Sequence, residues 1–485
     1  MRLNDILSGI EYEVIKGRIE FDISDICYDS RKVNEGSLFV CLVGANSDGH
    51  DYIDMAIEKG ARAIVVSRNI ELDNDVTIIK VSDTRRILSR LAINYYGNPG
   101  SELTMIGITG TKGKTTTASM IKNILLEDGK STGIIGTLGV SFNDKHYDTI
   151  NTTPESLEIQ KYLREMVNDG VRYVVMEVSS QALKVGRVDG MMFDYGVFTN
   201  LTQDHIGDNE HPDMEDYIYS KSLLFSTCKH GIFNIDDEHY NKMIGNALCD
   251  IHTFGHNKDA DLVIDDVKLL RREHFIGIEL NTNGIINDKF LVNTPGEFSA
   301  YNSACAIMVT NYLGCDIDSI KRALEKVAVK GRMEIVPVSD KYSVIIDYAH
   351  NGVSIKSVLE TMRLYNPKRI VSLFGCGGNR SRDRRYDMGE ISGRYSDLTI
   401  VTEDNSRFED VEDIMNDIEI GLAKTDGKYI KIGNRTAAIK YALDNAIEGD
   451  IILLLGKGHE TYQEKEGIRS HYDEREIIAD IMKGI

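Results

Sequence analysis

Proline is scarce in this chain, with 6 residues against 42 glycines in 485, and long hydrophobic runs are missing. Apolar residues make up 42% and charged residues 27%, a composition that excludes disordered and fibrous chains and is typical of a globular protein. The longest apolar stretches, such as residues 451–456 (IILLLG), are far shorter than the roughly 20 residues that a membrane span needs. The N-terminus has no basic segment followed by an apolar one, so we expect no secretion signal, no membrane span and a cytoplasmic protein.

The chain also lacks an excess of basic residues, because its formal net charge is −20. This charge argues against nonspecific nucleic-acid binding. The seven cysteines are scattered and form no CxxC pair, which indicates reduced, packed thiols rather than a disulfide framework or a zinc site. We find no internal repeat or low-complexity tract. At roughly 150 residues per domain, the length predicts about three domains.

The order of apolar runs predicts an α/β protein of three domains. Strand and helix patterns alternate from residue 36 to residue 97, and a Pro-Gly pair at 99–100 places the first boundary near residue 100. From 101 to 331 a doubly wound parallel sheet is expected, with a β-rich insertion at about 251–293. Residues 332–485 alternate again and predict a second open α/β sheet, similar to a Rossmann domain.

A phosphate-binding loop is predicted where the second segment begins. Residues 107–125 read GITGTKGKTTTASMIKNIL and join an apolar strand directly to a helix, so that backbone N–H groups and the helix N-terminus can surround a polyphosphate. Gly110 and Gly113 allow the backbone to approach anionic oxygens. Lys114 can bridge the β and γ phosphates, and the Thr115 hydroxyl can ligate Mg²⁺. We therefore predict that this segment binds ATP.

Three further residues follow strands or lie on a helix in this segment. Glu177 ends an apolar strand, at the edge where ligands collect in open α/β sheets, and we expect it to ligate Mg²⁺ rather than to be an ordinary surface charge. His205, after the strand at 195–202, can ligate a metal or contact a phosphate, although a single histidine is often structural. Lys221 lies among apolar residues of a probable helix, and its spacing alone indicates a surface lysine whose stem packs on the protein.

The third segment carries Asp347 and His350 at a strand end and four arginines within positions 380–385. Clustered guanidinium groups favour an anionic substrate or a phosphate. The alternative is a solvated loop whose arginines are partly ion-paired. These residues do not themselves say which group receives the γ-phosphate.

A series of motifs, in this order, is similar to those of the Mur ligases, which are ATP-dependent amide-bond-forming enzymes of peptidoglycan synthesis. The motifs are DSR at 29–31, TGTKGKTTT at 109–117, NTTP at 151–154, EVSSQAL at 177–183, TNLTQDH at 199–205, YIYSK at 217–221, GRME at 331–334, DYAHNG at 347–352, FGCGGNR at 374–380, DNSR at 404–407 and GKGHE at 456–460. The resemblance covers almost the whole chain. It is strongest to the members that add a diamino acid to UDP-N-acetylmuramoyl-L-alanyl-D-glutamate.

The resemblance implies an N-terminal domain (1–100) that binds the uridine nucleotide, a central ATPase domain (101–331) and a C-terminal Rossmann-like domain (332–485) that brings the amino acid and closes before chemistry. It implies a cytoplasmic, monomeric enzyme whose Lys221 is carbamylated and binds Mg²⁺, which replaces the surface-lysine interpretation.

The catalytic residues implied are Lys114, His205, Lys221, Asp347 and His350. The ATP contacts implied are Gly110, Thr111, Lys112, Gly113, Lys114, Thr115, Thr116, Asn302 and Arg332. The contacts implied for the UDP-MurNAc-peptide are Ser30, Asn151, Thr152, Thr153, Ser179 and Arg187. The amino-acid contacts implied are Arg385, Asp404, Asn405, Ser406, Arg407, Gly456 and Glu460. The metal ligands implied are Thr115, Glu177, His205 and carbamylated Lys221.

The resemblance favours meso-diaminopimelate as the amino acid added, because Arg407 can hold a distal carboxylate that lysine lacks. Ser406 stands where such members have proline, and Gln181 stands where histidine is common. The sequence following Asp204 also departs from the family, so the role of the second histidine, His211, is open. Lysine, lanthionine or another diamino acid is the alternative substrate. A folylpolyglutamate synthetase, which lacks the N-terminal domain, and a nucleotide-dependent binding protein without ligase activity are the competing functions.

Overall fold

The computed structural model describes residues 1–44, 47–204, 206–207 and 210–484. The chain divides into two compact units, residues 1–263 with 304–320, and residues 264–303 with 321–485. Both units are α/β, as the alternation of apolar runs predicts. Among the described residues, no helix is long and apolar enough to cross a membrane.

The first sheet belongs to the first unit and lies within residues 1–100. Its strands are β1 (Glu13–Lys16), β2 (Ile26–Cys27), β3 (Leu38–Val40), β4 (Ala63–Val66) and β5 (Thr77–Lys80), in the order β1-β5-β4-β3-β2. Its helices are α1 (Leu3–Ile6), α2 (Ile53–Glu58) and α3 (Thr84–Tyr96). Strands β2 to β5 are parallel, and β1 pairs antiparallel with β5. Asp83 caps the N-terminus of α3 by accepting hydrogen bonds from the N–H groups of Arg85 and Arg86. Gly97 ends the helix at φ 71°. The glycine and the Pro-Gly pair that follows predict this end of the helix.

The central sheet of the same unit carries the predicted phosphate loop. Its elements are β6 (Thr104–Thr109), α4 (Lys114–Glu127), β7 (Thr132–Gly136), β8 (Gly139–Phe142), β9 (Lys145–Tyr147), α5 (Ser156–Asn168), β10 (Tyr173–Glu177), α6 (Ser180–Lys184), β11 (Phe193–Phe198), α7 (Met214–Ser222), β12 (Cys228–Asn234), α8 (Tyr240–Ile244) and β13 (Asp250–Gly255). Beginning at β13, the strand order is β13-β12-β11-β6-β10-β7-β8-β9. The strands from β13 to β7 are parallel, so β6 lies between β10 and β11 and their carboxyl ends meet at one edge.

The stretch expected to be β-rich forms strands in the structure. It contains β13, β14 (Leu262–Arg272), β15 (Phe275–Gly284) and β16 (Asp288–Val292), with β15 paired antiparallel to β16. β14 pairs parallel with β13 and so continues the central sheet, while residues 264–293 group with the second unit. Two helices that contain residues of both units follow, α9 (Phe298–Tyr312) and α10 (Ile317–Glu325). The predicted boundaries near residues 100 and 331 remain predictions.

The second unit is built on a six-stranded sheet. Its elements are β17 (Glu334–Val336), β18 (Ser343–Asp347), α11 (Gly352–Arg363), β19 (Ile370–Phe374), α12 (Arg382–Tyr395), β20 (Leu398–Val401), α13 (Val411–Leu422), β21 (Tyr429–Lys431), α14 (Arg435–Asp444), β22 (Ile451–Leu455), β23 (Tyr462–Lys465), β24 (Ile468–His471) and α15 (Glu474–Lys483). The order β17-β18-β22-β19-β20-β21 is parallel except at β17. Apolar residues cover both faces of this sheet, which explains why its strands read as continuous apolar runs.

Candidate functional site

The loop between β6 and α4 has the conformation that its glycines permit. Gly110 has φ 147°, and a Cβ at that position would lie 2.0 Å from Thr199 Oγ1. Gly113 caps α4 at φ 85°, a backbone conformation that residues with side chains rarely adopt. The predicted strand, glycine-rich loop and helix are therefore present, with the loop N–H groups at the N-terminus of a 14-residue helix.

A second segment fixes this loop from the neighbouring strand end. The N–H of Thr111 donates to the Asn200 carbonyl at 2.9 Å, and the N–H of Lys112 donates to Asn200 Oδ1 at 3.0 Å. In return, Thr199 Oγ1 donates to the Lys112 carbonyl at 2.8 Å. Sequence reasoning gave Thr199 and Asn200 no role, although both belong to the TNLTQDH motif that carried the resemblance.

Thr115 and Glu177, both predicted metal ligands, are in contact at the edge of the sheet. Thr115 Oγ1 donates to Glu177 Oε2 at 2.9 Å, and the carboxylate is almost fully buried. Thr137, which sequence reasoning missed, donates its N–H to Oε1 at 2.9 Å and its hydroxyl to Oε2 at 3.2 Å. A carboxylate and hydroxyls at one point supply the hard oxygen donors that Mg²⁺ prefers. His205, the third predicted ligand, lies outside the described residues.

Two lysines donate to one carbonyl of the loop. Lys114 Nζ lies 2.8 Å and Lys221 Nζ 2.9 Å from the oxygen of Gly110. Lys221 is 1% exposed and lies 4.5 Å from the centre of the Tyr217 ring, so the surface interpretation drawn from its spacing is wrong. The face of α7 that carries Lys221 is turned toward the loop. Burial, and then the charge of Lys114, hold the pKa of Lys221 well below its usual range, which favours the neutral amine.

Four residues expected to contact the UDP-MurNAc-peptide gather close to Glu177. Thr152 Oγ1 lies 3.1 Å from Thr137 Oγ1, and Thr153 Oγ1 donates to the backbone carbonyl of Glu177 at 2.9 Å. The N–H of Ser179 donates to Thr153 Oγ1 at 3.0 Å, and Arg187 donates to the Thr153 carbonyl at 2.9 Å. The structure thus places these side chains beside the predicted metal ligands.

The two remaining expected contacts of this group lie elsewhere in the first unit. Asn151 is exposed in the segment that leads to Thr152. Ser30 is buried beside the first sheet, with its hydroxyl 3.3 Å from the Met55 sulfur. Their roles stay predictions.

His211 joins two helices and is fully engaged. Its Nδ1 lies 2.5 Å from Asp216 Oδ2 on α7, and its Nε2 lies 2.9 Å from Ser180 Oγ on α6. Burial lowers the pKa of His211. The structure thus gives His211 contacts within the protein, while Gln181 is exposed on α6.

The second unit holds the expected nucleotide residues of the later motifs. Asp347 is buried at the end of β18, and its two oxygens accept the N–H groups of Met333 and Ala349 at 2.8 Å each. Burial raises the pKa of Asp347. The guanidinium of Arg332 lies 5.1 Å from the centre of the Tyr348 ring. Asp347 therefore fixes the GRME segment against the sheet.

Asn302 and His350 complete the expected nucleotide contacts of this unit. Asn302 is buried on α9. His350 Nδ1 lies 2.7 Å from the Tyr348 carbonyl. Their catalytic and ATP-binding roles remain predictions.

A cavity of about 140 Å³ lies at the carboxyl edge of the second unit's sheet. It is lined by Tyr348, His350, Gly375, Cys376, Gly377, Arg380, Ser381, Arg384, Arg385, Asp404, Asn405, Arg407, Gly456 and Glu460. Six of the seven expected amino-acid contacts are among these residues. The seventh, Ser406, is buried with its backbone against Gly378.

One wall of this cavity is an ordered acidic network. Asn405 Nδ2 donates to Glu460 Oε2 at 2.8 Å, and Asn405 Oδ1 accepts from Lys457 Nζ at 3.2 Å and from the N–H of Glu464 at 3.0 Å. Lys457 is fully buried, and its Nζ lies 3.6 Å from both Asp404 and Glu460. Burial raises the pKa of Glu460, against the opposing charge of Lys457. Sequence reasoning missed Lys457, although GKGHE contains it.

Arginines supply positive charge around the same cavity, opposite in sign to the acidic wall. Arg407 has φ 52° and donates from Nη1 to the Gly378 carbonyl at 2.8 Å. Arg385 is 1% exposed and ion-paired with Glu409 at 2.8 Å and Asp417 at 2.9 Å. The arginine cluster is therefore ion-paired in part, as its alternative interpretation holds, while Arg380 and Arg384 line the cavity.

Comparisons with known proteins agree with these features. The Mur ligase family catalytic domain matches residues 22–96, the Mur ligase middle domain residues 108–310, and the Mur ligase glutamate ligase domain residues 331–458. The UDP-N-acetylmuramoyl-L-alanyl-D-glutamate--2,6-diaminopimelate ligase of Clostridium perfringens is 41% identical over 100% of both chains.

Solved structures match over similar lengths. A UDP-N-acetylmuramoyl-L-alanyl-D-glutamate--2,6-diaminopimelate ligase has a TM-score of 0.72 and 26% identity, covering 100% of this chain and 99% of that one. A MurF ligase from Thermotoga maritima in complex with ADP has a TM-score of 0.60 and 19% identity, covering 95% and 97%; at that identity only the fold is compared. Together with the phosphate loop and the cavity lined by both arginines and carboxylates, these matches establish that the chain belongs to the Mur ligase family.

Proposed function

We propose that this protein is the ATP-dependent ligase that adds meso-diaminopimelate to the D-glutamate of UDP-N-acetylmuramoyl-L-alanyl-D-glutamate, in peptidoglycan precursor synthesis. The choice of amino acid rests on the cavity, which both Arg407 and Glu460 line. Full-length similarity to a ligase of that name supports the same choice. Since ATP and UDP-linked precursors are cytoplasmic compounds, we place the enzyme in the cytoplasm, as a monomer.

The MurF ligase of Thermotoga maritima is solved in complex with ADP, and the loop at 110–113 of this chain is suited to the phosphates of ATP. The terminal carboxylate of the substrate attacks the γ-phosphorus, ADP leaves, and an acyl phosphate forms. The amine of the diamino acid then attacks the acyl carbon, phosphate leaves, and the amine loses a proton as the amide forms. Lys114 neutralises charge on the transferring phosphoryl group, which is the main contribution a protein makes to such a transfer.

The residues at the edge of the central sheet fit Mg²⁺ and a carbamate. Thr115 and Glu177 offer oxygen ligands, and His205 is proposed as a further one. Lys221 is buried with its pKa lowered, and a neutral amine is the form that adds CO₂ and loses a proton to become a carbamate. Bound there, Mg²⁺ would neutralise phosphate oxygens as a Lewis acid.

Recognition of the amino acid rests on its two charged ends. Arg407 can pair with the distal carboxylate of diaminopimelate, and Glu460, held by Asn405 and Lys457, can accept the distal ammonium. Lysine has the ammonium but no distal carboxylate, so it leaves the Arg407 charge without a carboxylate partner, and an unpaired charge in a site costs binding energy.

The uridine-linked substrate is assigned to the first unit. We propose that residues 1–100 with Ser30 bind the nucleotide, and that Asn151, Thr152, Thr153, Ser179 and Arg187 bind the muramoyl peptide. Their position beside Glu177 supports a site in which the glutamate carboxylate lies close to the phosphate loop.

Phosphate release tests this function directly. The protein is incubated with ATP, Mg²⁺ and UDP-N-acetylmuramoyl-L-alanyl-D-glutamate, and meso-diaminopimelate, L-lysine and lanthionine are offered in separate reactions. We expect strong preference for diaminopimelate. Activity with another amine alone would keep the ligase and reject the assignment of the cavity. No turnover with any amine would favour a nucleotide-dependent binding protein.

A further inference from the structure

Two cysteines of the first unit meet where neighbouring strands begin. Cys228 is the first residue of β12, and Cys249 directly precedes β13. The two strands pair in parallel. The N–H of Leu248 donates to the Phe225 carbonyl at 3.0 Å, so the segments that lead into the strands are joined as well.

Two glycines of the sheet leave room for both sulfur atoms on one face. Gly196 of β11 pairs with Gly231 of β12, and residues paired in this way direct their Cβ positions to the same face of a parallel sheet. A Cβ at Gly196 would lie 2.8 Å from Cys228 Sγ, and a Cβ at Gly231 would lie 2.8 Å from Cys249 Sγ. The two thiols therefore occupy adjoining space over one face of the sheet.

The two thiols are hydrogen-bonded to each other and differ in acidity. The bond with Cys249, and then burial, raise the pKa of Cys228, whereas the same bond lowers the pKa of Cys249. The S–H of Cys228 is thus the donor, and negative charge is favoured on the Cys249 sulfur. Cys228 is buried and Cys249 is half-buried, so a reagent from solution meets Cys249 first.

The other five cysteines differ from this pair. All seven cysteines lie in the described part of the chain, and burial raises the pKa of the remaining thiols, which are Cys27, Cys41, Cys305, Cys315 and Cys376. A raised pKa makes a thiol unreactive near neutral pH, because the thiolate is the nucleophile. A reactive thiol with a second thiol in contact is the arrangement that converts a mixed disulfide into an intramolecular one.

We propose that Cys228 and Cys249 form a reversible intramolecular disulfide when the protein meets a low-molecular-weight disulfide such as glutathione disulfide. The Cys249 thiolate attacks one sulfur of the reagent, the S–S bond of the reagent breaks, and the leaving thiolate takes up the proton that Cys249 lost. The Cys228 sulfur then attacks the Cys249 sulfur, and the second thiol leaves with the proton of Cys228. Two electrons pass from the two cysteines to the reagent, which is reduced to two thiols.

This disulfide cross-links the first unit away from the predicted phosphate site. It closes a loop that contains β12 and α8, and such a closure stabilises a protein mainly by restricting its unfolded chain. The cysteines lie at the amino ends of parallel strands, whereas the loop at 110–113 follows the carboxyl end of β6. Oxidation therefore raises the thermal stability and leaves the nucleotide site intact.

The test treats the folded, full-length wild type with glutathione disulfide near neutral pH and maps its peptides by mass spectrometry. We expect one linked peptide pair that joins Cys228 to Cys249, with five thiols left to alkylate in place of the seven cysteines of the sequence. Dithiothreitol should restore all seven. The thermal unfolding midpoint should rise by about 3–10 °C on oxidation, and ADP binding in calorimetry should not change.

Three variants identify the role of each thiol. Cys228→Ser should stop at the glutathione adduct on Cys249, because no second thiol displaces it. Cys249→Ser should form neither the adduct nor the disulfide. Cys27→Ser is the matched control, since a hydroxyl can keep the contacts that the Cys27 thiol makes with Asp25 and the Lys32 carbonyl, and it should be oxidised as the wild type is.

Several results would overturn the inference. One is a wild type that keeps seven free thiols, or that carries only the glutathione adduct on Cys249. Another is a disulfide that joins either cysteine to a third one, or a Cys228–Cys249 disulfide that forms only in denaturant. An oxidised protein whose unfolding midpoint does not rise would refute the stabilising role of the cross-link.

Discussion

Replacing Lys457 with methionine is the sharpest test of the acidic wall of the cavity. Lys457 is fully buried, and its Nζ is 3.6 Å from Asp404 and Glu460 and 3.2 Å from Asn405 Oδ1. Methionine fills a similar volume but removes the cation that lies 3.6 Å from each of the two carboxylates. Asn405 keeps its bond from Glu464, so the change acts mainly on charge.

The size of the effect follows from the distances. Two unit charges 3.6 Å apart interact by about 5 kcal/mol at an effective dielectric constant of about 20, and removing one partner of a buried pair costs about 3–5 kcal/mol. Burial and Asp404 already raise the pKa of Glu460, and Lys457 opposes them. Without Lys457 the pKa of Glu460 rises further, which favours the neutral, protonated carboxyl. It then attracts the distal ammonium of the substrate less, and we expect the KM for diaminopimelate to rise about 10- to 100-fold at pH 7.

The pH dependence separates this explanation from simple misfolding. A carboxyl whose pKa is raised is neutral below that pKa and charged above it, so the KM of Lys457→Met should fall as pH increases from 6 to 9. The wild-type KM should change little over the lower part of this range. The groups that interact with Glu460 or its neighbours, through their charges or hydrogen bonds, are Asp404, Asn405, Lys457, Tyr348 and Tyr462.

Lys465→Met, at an exposed position of β23, is the control and should match the wild type. Phosphate release at saturating ATP is the assay, with ADP binding as the check on folding. A Lys457→Met variant whose KM is raised equally at every pH, or is unchanged, would refute the electrostatic role.

Three further outcomes are expected. Gly110→Ala should reduce ATP turnover at least 100-fold, since its Cβ would meet Thr199 Oγ1 at 2.0 Å; near-normal turnover in a phosphate-release assay would show that the loop tolerates a side chain. Lys221→Gln should retain ADP binding in calorimetry but lose at least 100-fold in phosphate release, and a smaller loss would argue against a role for this amine. Asp417→Asn should destabilise the second unit by about 3–5 kcal/mol, because it leaves buried Arg385 with one fewer charged partner; urea unfolding measures this, and a shift under 1 kcal/mol would contradict it.

Local pattern predicted those parts of the molecule in which neighbouring residues determine the conformation. The strand, loop and helix around Gly110 could be predicted because the glycines and the apolar strand are adjacent in sequence. The buried strands β18, β19 and β22 also read directly as apolar runs. The antiparallel pairing of β1 with β5 could not be predicted from the sequence, because it joins segments about 65 residues apart.

The candidate sites also depend on contacts between residues distant in sequence, which local pattern does not predict. Lys221 has the sequence surroundings of a surface lysine, and only the packing of α7 on the loop makes it a buried amine. Arg384 and Arg385 are adjacent in sequence and both line the cavity, yet only Arg385 forms ion pairs with the distant residues Glu409 and Asp417. Family resemblance supplied residue roles that periodicity does not carry.

The shared acceptor at Gly110 links the chemical state of one lysine to the charge of the other. Lys114 lowers the pKa of Lys221, so it favours the amine form that reacts with CO₂. The attraction between Lys114 and the carbamate proposed at Lys221 is reciprocal: it favours the carbamate over the amine and the charged form of Lys114 over the neutral form by the same free energy. The proposed modification of Lys221 and the charge of Lys114 are thus two coupled equilibria, and neutralising Lys114 should by itself lower the carbamylated fraction of Lys221.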